Sequence, residues 1–295
     1  MGLATCAALP VGDPDDAALV AAFHAKDIDV QWIPWNNTEP SDLRGLVDAV
    51  LIRSTWDYTE DREAFCVWLD AISDTELPVF NPAPLVRWNS DKRYLADLAA
   101  AGVPTVATTV VDSLDQEWFV PEGFDEFVVK PSVGAGSKGA QRFAAQDLES
   151  ARTHAEQLLA AGRTVLIQPY LPSVDAGSET ALIHFDGVFS HAITKGPMLG
   201  RDGKAEMVDG LYVAEVIDPR TPTAAQLDVA QQVLAAVPHP GGLYARVDLI
   251  DAPDGSPVLL ELEMIEPSLF FAFDPPAADR LVAAVRARLE PALPG

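Results

Sequence analysis

The chain has 295 residues, 48% of them hydrophobic, with 20 lysines and arginines against 44 aspartates and glutamates, a formal net charge of −24. That length supports a large core and two or three lobes, while the charge argues against nucleic acid and anionic membrane surfaces as partners. Cys6 and Cys66 lie far apart without metal-type spacing, no basic start leads into an apolar run, and no uncharged apolar run reaches membrane length, so a cytoplasmic protein without disulfides is expected.

In chain order, L-A-T-C-A is a short apolar strand, and 10–14 is a loop. Residues 15–26 read as an amphipathic helix. I-D-V-Q-W-I and V-D-A-V-L-I-R-S are further strands of a small parallel sheet with crossovers. A helix over 60–73 and the segment V-F-N-P-A-P close this first part. Residues 89–101 form a helix stopped by Gly102 and Pro104. F-V-V-K-P is a strand that runs into a glycine loop, followed by a helix over 144–161 and the strand T-V-L-I-Q-P-Y. T-A-L-I-H-F and V-F-S-H-A-I-T-K form a hairpin around Asp186 and Gly187. After a glycine- and acid-rich loop come a helix over 221–237, a hairpin over 244–263 and a closing helix over 276–289. There are no internal repeats.

The hairpin carries the sharpest signal. Y-A-R-V-D-L-I and V-L-L-E-L-E-M-I-E-P-S are apolar segments joined by D-A-P-D-G-S-P, which is turn chemistry. Side chains alternate along a strand, so Glu261 and Glu263 share a face and Leu262 points away. A register that sets Asp248 opposite them makes three anions converge, and such a cluster in an apolar setting calls for a cation. Mg²⁺ suits carboxylate oxygens and leaves room for phosphate. The competing reading is three solvated acids.

Five other constellations could carry chemistry. In F-V-V-K-P-S-V-G-A-G-S-K-G, Lys130 ends a strand, and Gly134, Gly136 and Gly139 allow backbone N–H groups to approach an anion. Ser132 and Ser137 could donate to phosphate oxygens, or the segment is a flexible hairpin tip. Lys92, expected in the first turn of a helix, opposes the helix dipole unless an anion binds. It could also be a solvated lysine. Arg246 should share the Asp248 face and, with Lys195, could steady a transferring phosphoryl group. A salt bridge to Glu261 or Glu263 is the alternative for Arg246. In R-S-T-W-D-Y, at the carboxyl end of the third strand, Arg53 could fork onto a substrate carboxylate, oriented by Ser54, Thr55 and Asp57. Asp57 or Thr59 could equally cap the next helix. Gln168, Pro169, Tyr170 and Leu171 form a proline-bounded linker whose backbone could face an adenine edge, with Glu179 placed for ribose hydroxyls, or the segment is an ordinary interlobe linker. His184 and His191 read as core or surface residues, not ligands.

The order of these features resembles the ATP-grasp superfamily across residues 3–289: a helical lysine, a strand lysine before a small-residue loop, a linker with a following acid, and a terminal R-x-D…E-x-E hairpin. D-alanine–D-alanine ligases, glutathione synthetases and ribosomal-protein-modifying glutamate ligases share that order. R-S-T-W-D-Y, R-W-N-S-D-K-R-Y-L, Q-P-Y-L-P-S-V and E-L-E-M-I-E-P-S-L-F-F further resemble the group containing the cyclo-ligase that closes O-ureido-D-serine into D-cycloserine.

The resemblance implies an α/β (α+β) ATP-grasp fold. Its parts would be an N-terminal parallel α/β domain over 1–88, a small central lid domain over 89–167 and a C-terminal antiparallel-sheet domain over 168–295. It assigns Lys92, Lys130 and the 132–139 loop to ATP phosphates, 168–171 to adenine and Glu179 to ribose. Asp248, Glu261 and Glu263 would hold two Mg²⁺ ions. Arg246 and Lys195 would stabilise the transferred phosphoryl group, and Glu266 and Ser268 would join the substrate side. Several relatives have asparagine where this chain has Glu263, an added negative charge that should tighten Mg²⁺. The lid loop is shorter than in some relatives. Relatives are often dimers, so a homodimer is an open expectation.

The implied activity is ATP-dependent carboxylate–amine ligation of a small molecule through an acyl phosphate, with intramolecular closure of O-ureido-D-serine favoured. The alternatives are an intermolecular amino-acid or dipeptide ligase, a non-catalytic nucleotide-binding module, and a small-molecule kinase with Asp57 as its base.

Overall fold

A computed structural model of the protein describes residues 1–113, 115, 123–177, 179–196, 207–208, 212–213 and 216–290. Three main sheets carry the fold. The first is parallel, in the order β2-β1-β3-β4. It comprises β1 (Gly2–Thr5), β2 (Gln31–Pro34), β3 (Val50–Ser54) and β4 (Val79–Phe80). Its crossovers contain α1 (Asp16–His24), the single turn α2 (Pro40–Leu43) and α3 (Arg62–Ser73). Both faces are apolar, as parallel sheets require. Leu3 and Leu51 pack with Leu19 and Phe23 on one face; Ala4 and Ile52 pack with Phe65 and Leu69 on the other.

The second sheet is antiparallel, in the order β5-β8-β6-β7. It comprises β5 (Thr109–Val111), β6 (Glu126–Pro131), β7 (Gln141–Ala144) and β8 (Val165–Pro169), with α6 (Leu148–Ala160) across one face. Phe127, Val129, Ala151, Ala155 and Ile167 form its small core.

The third sheet, also antiparallel, has the order β13-β10-β9-β14-β15. Its strands are β9 (Glu179–Phe185), β10 (Val188–Lys195), β13 (Ile217–Pro219), β14 (Tyr244–Asp251) and β15 (Pro257–Glu263). A two-stranded ribbon, β11 (Met207–Val208) and β12 (Tyr212–Val213), lies between β10 and β13 in sequence. One face of the third sheet packs on α4 (Ala83–Asn89), α5 (Tyr94–Ala100) and α7 (Ala224–Ala235) through Leu85, Leu95, Val229, Val247 and Leu262. The other face joins α8 (Ala277–Leu289) and the first sheet through Ala181, Ile183, Tyr244 and Leu281. No helix among the described residues is long and apolar enough to cross a membrane. Cys6 and Cys66 are free and buried.

Several elements depart from the sequence reading. The helix expected over 89–101 is broken: α4 ends at Asn89 and α5 begins at Tyr94, so Lys92 sits in the intervening turn. The helix expected over 144–161 starts at Leu148, because Ala144 ends β7. Neither Asp57 nor Thr59 caps α3. Asp61 does, accepting from the Ala64 amide at 3.0 Å. Most of the glycine- and acid-rich loop after Lys195 lies outside the described residues.

Buried side-chain amides clamp the first and third sheets together. Asn81, wholly buried, donates through Nδ2 to the Tyr244 carbonyl at 2.9 Å and the Met264 carbonyl at 2.7 Å, and its Oδ1 accepts from Leu243 N. Asn89 does the same for the end of β15, donating to Leu262 O at 2.8 Å and accepting from Met264 N at 2.7 Å. Leu262 N donates to the Tyr94 hydroxyl at 2.9 Å. These bonds satisfy backbone groups that no neighbouring strand reaches. Asn81→Ala therefore strands several buried polar groups, and a loss of about 3 kcal/mol in urea unfolding is expected. A change under about 0.5 kcal/mol would show that water replaces the amide.

Candidate active site

The β14–β15 register builds the centre of the site. Asp248 pairs across from Glu261 and Arg246 across from Glu263, so three acids and an arginine share one face. The opposite face carries Val247 and Leu262 into the core, which fixes the register, because a slip of one residue would bury the charges there. The charged face opens into a cavity of about 620 Å³ between the three sheets.

Each acid is held by a cation. Asp248, 1% exposed, takes Lys195 Nζ at 2.6 Å and Arg246 Nε and Nη2 at 2.9 Å. Arg246 also bonds Glu263 and donates to Ser268 O at 3.3 Å. Lys195 reaches Glu179 at 2.9 Å, and Lys92 reaches Glu261 at 3.0 Å. Among the described residues no group of three or more His, Cys, Asp or Glu side chains is assembled as a metal centre. The salt bridge weighed as an alternative role for Arg246 is therefore present.

The charges do not balance. Glu179, Asp248, Glu261, Glu263 and Glu266 line or adjoin the cavity with Lys92, Lys130, Lys195 and Arg246. Burial opposes ionisation of Asp248, yet Arg246 and Lys195 hold its carboxyl below the usual range; Lys92 and Lys130 do the same for Glu261. Burial, with Glu261 and Asp248 close by, pushes Glu263 up to about 7 despite Arg246. Burial and then Glu263 push Glu266 up to about 8. Lys130 makes no ion pair among the described residues; burial, with Lys92 beside it and Glu261 only partly opposing, pulls it down to about 8. Two carboxylates short of positive charge and a lysine short of negative charge fit a site built for a cation together with a polyanion.

The 132–139 loop lies over this centre. Lys92 N donates to Ser132 O at 2.8 Å, and Lys92 Nζ bonds the Gly134 carbonyl. Gly136 and Gly139 have φ of +57° and +79°, conformations that need glycine. Gly134, Gly136 and Ser137 line the cavity, whereas Ser132, 2% exposed, lies beneath and does not. Lys138 reaches across to Glu60 of the first lobe at 2.8 Å. Gln168, Pro169, Tyr170 and Leu171 line another wall with Glu179.

On the substrate side the structure redistributes the expected residues. Glu266 and Ser268 line the cavity, but Arg53, Ser54, Thr55 and Asp57 do not. Arg53, 2% exposed, spends Nε on Asp16 at 2.8 Å and Nη2 on Pro267 O at 3.2 Å. Ser54 Oγ donates to Asp16 at 2.9 Å, Thr55 is wholly buried, and Asp57 accepts from Trp35 Nε1 at 2.6 Å and Asn36 Nδ2 at 2.8 Å. The motif is packed inward because its charged side chains found partners in α1 and after β2. The groups it presents are Trp56 and Tyr58, with Asp13 and Asp15 from the loop before α1. Asp13 accepts from Ser268 Oγ at 3.3 Å and its amide donates to Ser54 Oγ at 3.0 Å. Sequence reasoning passed over Asp13; its place in a loop after the first parallel strand was the available signal. His184 and His191 are buried, and His191 Nε2 lies 2.8 Å from Leu269 O.

This geometry has close counterparts. Residues 1–81 match the family model described as the N-terminal domain of D-cycloserine synthetase DcsG. The cycloserine biosynthesis protein DcsG of Streptomyces lavendulae is 41% identical over 299 residues, 96% of either chain. A crystal structure of D-cycloserine synthetase DcsG superposes with a TM-score of 0.86 at 38% identity, covering 98% of this chain and 99% of that one. The D-alanine–D-alanine ligase of Bacillus anthracis complexed with ATP shares the fold, with a TM-score of 0.64 at 17% identity over 98% of both chains. With this identity over nearly the whole length of both proteins, the chain belongs to the DcsG family of D-cycloserine synthetases, on the ATP-grasp fold.

Proposed function

We propose that the protein is an ATP-dependent cyclo-ligase that closes O-ureido-D-serine to D-cycloserine. The observation that carries this reading is one cavity shared by the two phosphate-type lysines, the acidic hairpin and the Asp13–Glu266–Ser268 wall. Family membership supports the choice of substrate.

The substrate carboxylate oxygen attacks the γ-phosphorus of ATP, the bond to the β-phosphate oxygen breaks, and ADP and an acyl phosphate result. The nitrogen of the N–O bond then attacks the acyl carbon, phosphate leaves with the C–O electron pair, and a five-membered ring closes. Water releases the carbamoyl group as CO₂ and ammonia. Lys92 and Lys130 hold phosphate oxygens, and the 132–139 loop covers them and keeps water from the acyl phosphate. Residues 168–171 face the adenine and Glu179 the ribose. Arg246 and Lys195, held against Asp248 beside the cavity, would stabilise the charge on the transferring group. Glu261 and Glu263, with Asp248, would hold two Mg²⁺ ions, which supply charge neutralisation at the phosphates. The substrate rests on Trp56, Tyr58, Glu266 and Ser268, and Arg53 to Asp57 support that wall from behind. A homodimer in the cytoplasm completes the proposal, and sedimentation tests its first part.

The deciding assay is ADP release with ATP and Mg²⁺, using O-ureido-D-serine alone or small amino acids singly and in pairs. Turnover with O-ureido-D-serine alone is expected; turnover only with a pair would replace cyclisation by intermolecular ligation. Glu261→Gln, run beside the wild type, should lose about 100-fold or more in kcat while its melting temperature stays within a few degrees. Near-normal turnover in this variant would remove Glu261 from the metal set.

Lys130 gives a pH signature. Its folded pKa lies near 8 and must rise when phosphate binds, so the contact is complete below 8 and is lost as pH climbs above it. ATP affinity should fall by up to about tenfold per pH unit above 8, and Lys130→Arg should flatten that slope. A wild-type affinity that stays level from pH 7 to 9.5 would mean that Lys130 does not touch the phosphates.

A further inference from the structure

Arg142, on β7, takes no part in the chemistry described so far, yet it is built in with more care than a surface ion pair needs. Its side chain is 4% exposed. Nε donates to Glu126 Oε1 at 2.9 Å, and Nη2 also bonds that carboxylate. Nη1 and Nη2 reach the Asp175 oxygens at 3.2 and 3.1 Å. The guanidinium carbon lies 3.5 Å from the centroid of the Tyr170 ring, a stacked cation–π contact.

Tyr170 is held at its amide, its hydroxyl and one ring face. Its amide donates to Glu126 O at 2.9 Å and its hydroxyl to Asp175 Oδ1 at 2.6 Å. Arg142 covers one ring face, and the residue as a whole lines the cavity. Glu126 and Asp175 thus bind both the tyrosine and the arginine stacked on it. A buried guanidinium is tolerated only with such counter-charges, and the arrangement spends two carboxylates to keep one aromatic plane fixed. Tyr170 follows directly on β8, where the chain leaves the second sheet for the third, so an unsupported ring there could turn with the backbone.

We propose that Arg142 is a positioning residue for the nucleotide base: it locks the Tyr170 ring as the wall against which the purine stacks. This rests on the reading that residues 168–171 receive adenine. The network sets nucleotide affinity and leaves the reacting phosphates to other residues.

The test is calorimetric titration of the full chain with ATP and with inorganic tripolyphosphate, each with Mg²⁺, alongside steady-state kinetics. The wild type should bind ATP well above tripolyphosphate. Arg142→Met should weaken ATP about tenfold, leave tripolyphosphate within twofold, raise KM for ATP and keep kcat within about threefold, since base stacking on an aromatic contributes on this scale. Tyr170→Ala should weaken ATP at least as much while leaving tripolyphosphate within twofold, and the double variant should be no weaker than Tyr170→Ala alone. Should Arg142→Met fail to fold, Arg142→Lys, which keeps the charge and loses the fork, should show a smaller but selective loss for ATP. Equal losses for ATP and tripolyphosphate, or additive losses in the double variant, would reduce Arg142 to a structural ion pair and overturn the inference. An unchanged ATP preference in a folded Arg142 variant would overturn it too and leave the nucleotide reading intact. A wild type that does not prefer ATP would bring down that reading and the inference with it.

Discussion

Charge buried without its complement is the constraint around which this molecule is arranged. Desolvating a carboxylate costs several kcal/mol unless a cation or hydrogen bonds compensate. The β14–β15 face carries Asp248, Glu261 and Glu263 inward, and the protein supplies Lys92, Lys195 and Arg246 to meet them. The match is deliberately incomplete on both sides. Glu263 and Glu266 are pushed toward protonation, and Lys130 toward deprotonation. A polyanion bound together with a cation would relieve both deficits at once.

Rigidity around that site comes from side chains that act as backbone. Asn81 and Asn89 stand where strands would otherwise have to pair, and Tyr244 Oη lies 2.8 Å from Ile52 O and 2.7 Å from Ile265 O. The first sheet and the acidic hairpin are thereby one body, and the E-P-S segment after β15 is tied to the R-S-T-W-D-Y segment after β3 through Arg53 and Pro267. The wall bearing Glu266 and Ser268 and the acidic hairpin therefore keep a fixed separation.

How much of this was legible follows from what each local signal encodes. Strand alternation placed Glu261 and Glu263 on one face, and the register meets the condition that Asp248 stand opposite them. The parallel first sheet and the antiparallel hairpin were equally readable from period and punctuation. Alternation says which face a side chain takes but not what already covers it. Arg53 pointed toward function by type and position, yet Asp16, a helix residue 37 positions away, occupies it. The helix expected through Lys92 failed because a continuous helical pattern hides a turn whose cause, the Ser132 carbonyl and the Asn89 clamp, is tertiary. Asp13, Asn81 and Arg142 carry no motif of their own and gain meaning only from distant partners.

The glycine loop over the phosphate end has a mechanical character set by its two roots. Ser132 is pinned twice, its amide to Thr164 O and its carbonyl to Lys92 N, both at 2.8 Å. Gly139 is pinned through its carbonyl to His154 Nε2 at 2.9 Å. What can swing without unravelling either root is a flap of residues 133–138, with a contour of roughly 20–25 Å at full stretch. Its tip is clasped by the solvent-exposed Lys138–Glu60 pair, the kind of bond that salt loosens, and by the Lys92 Nζ bond to the Gly134 carbonyl. A loop so rooted can open over the cavity by breaking only a few contacts at its tip, with both roots still bonded.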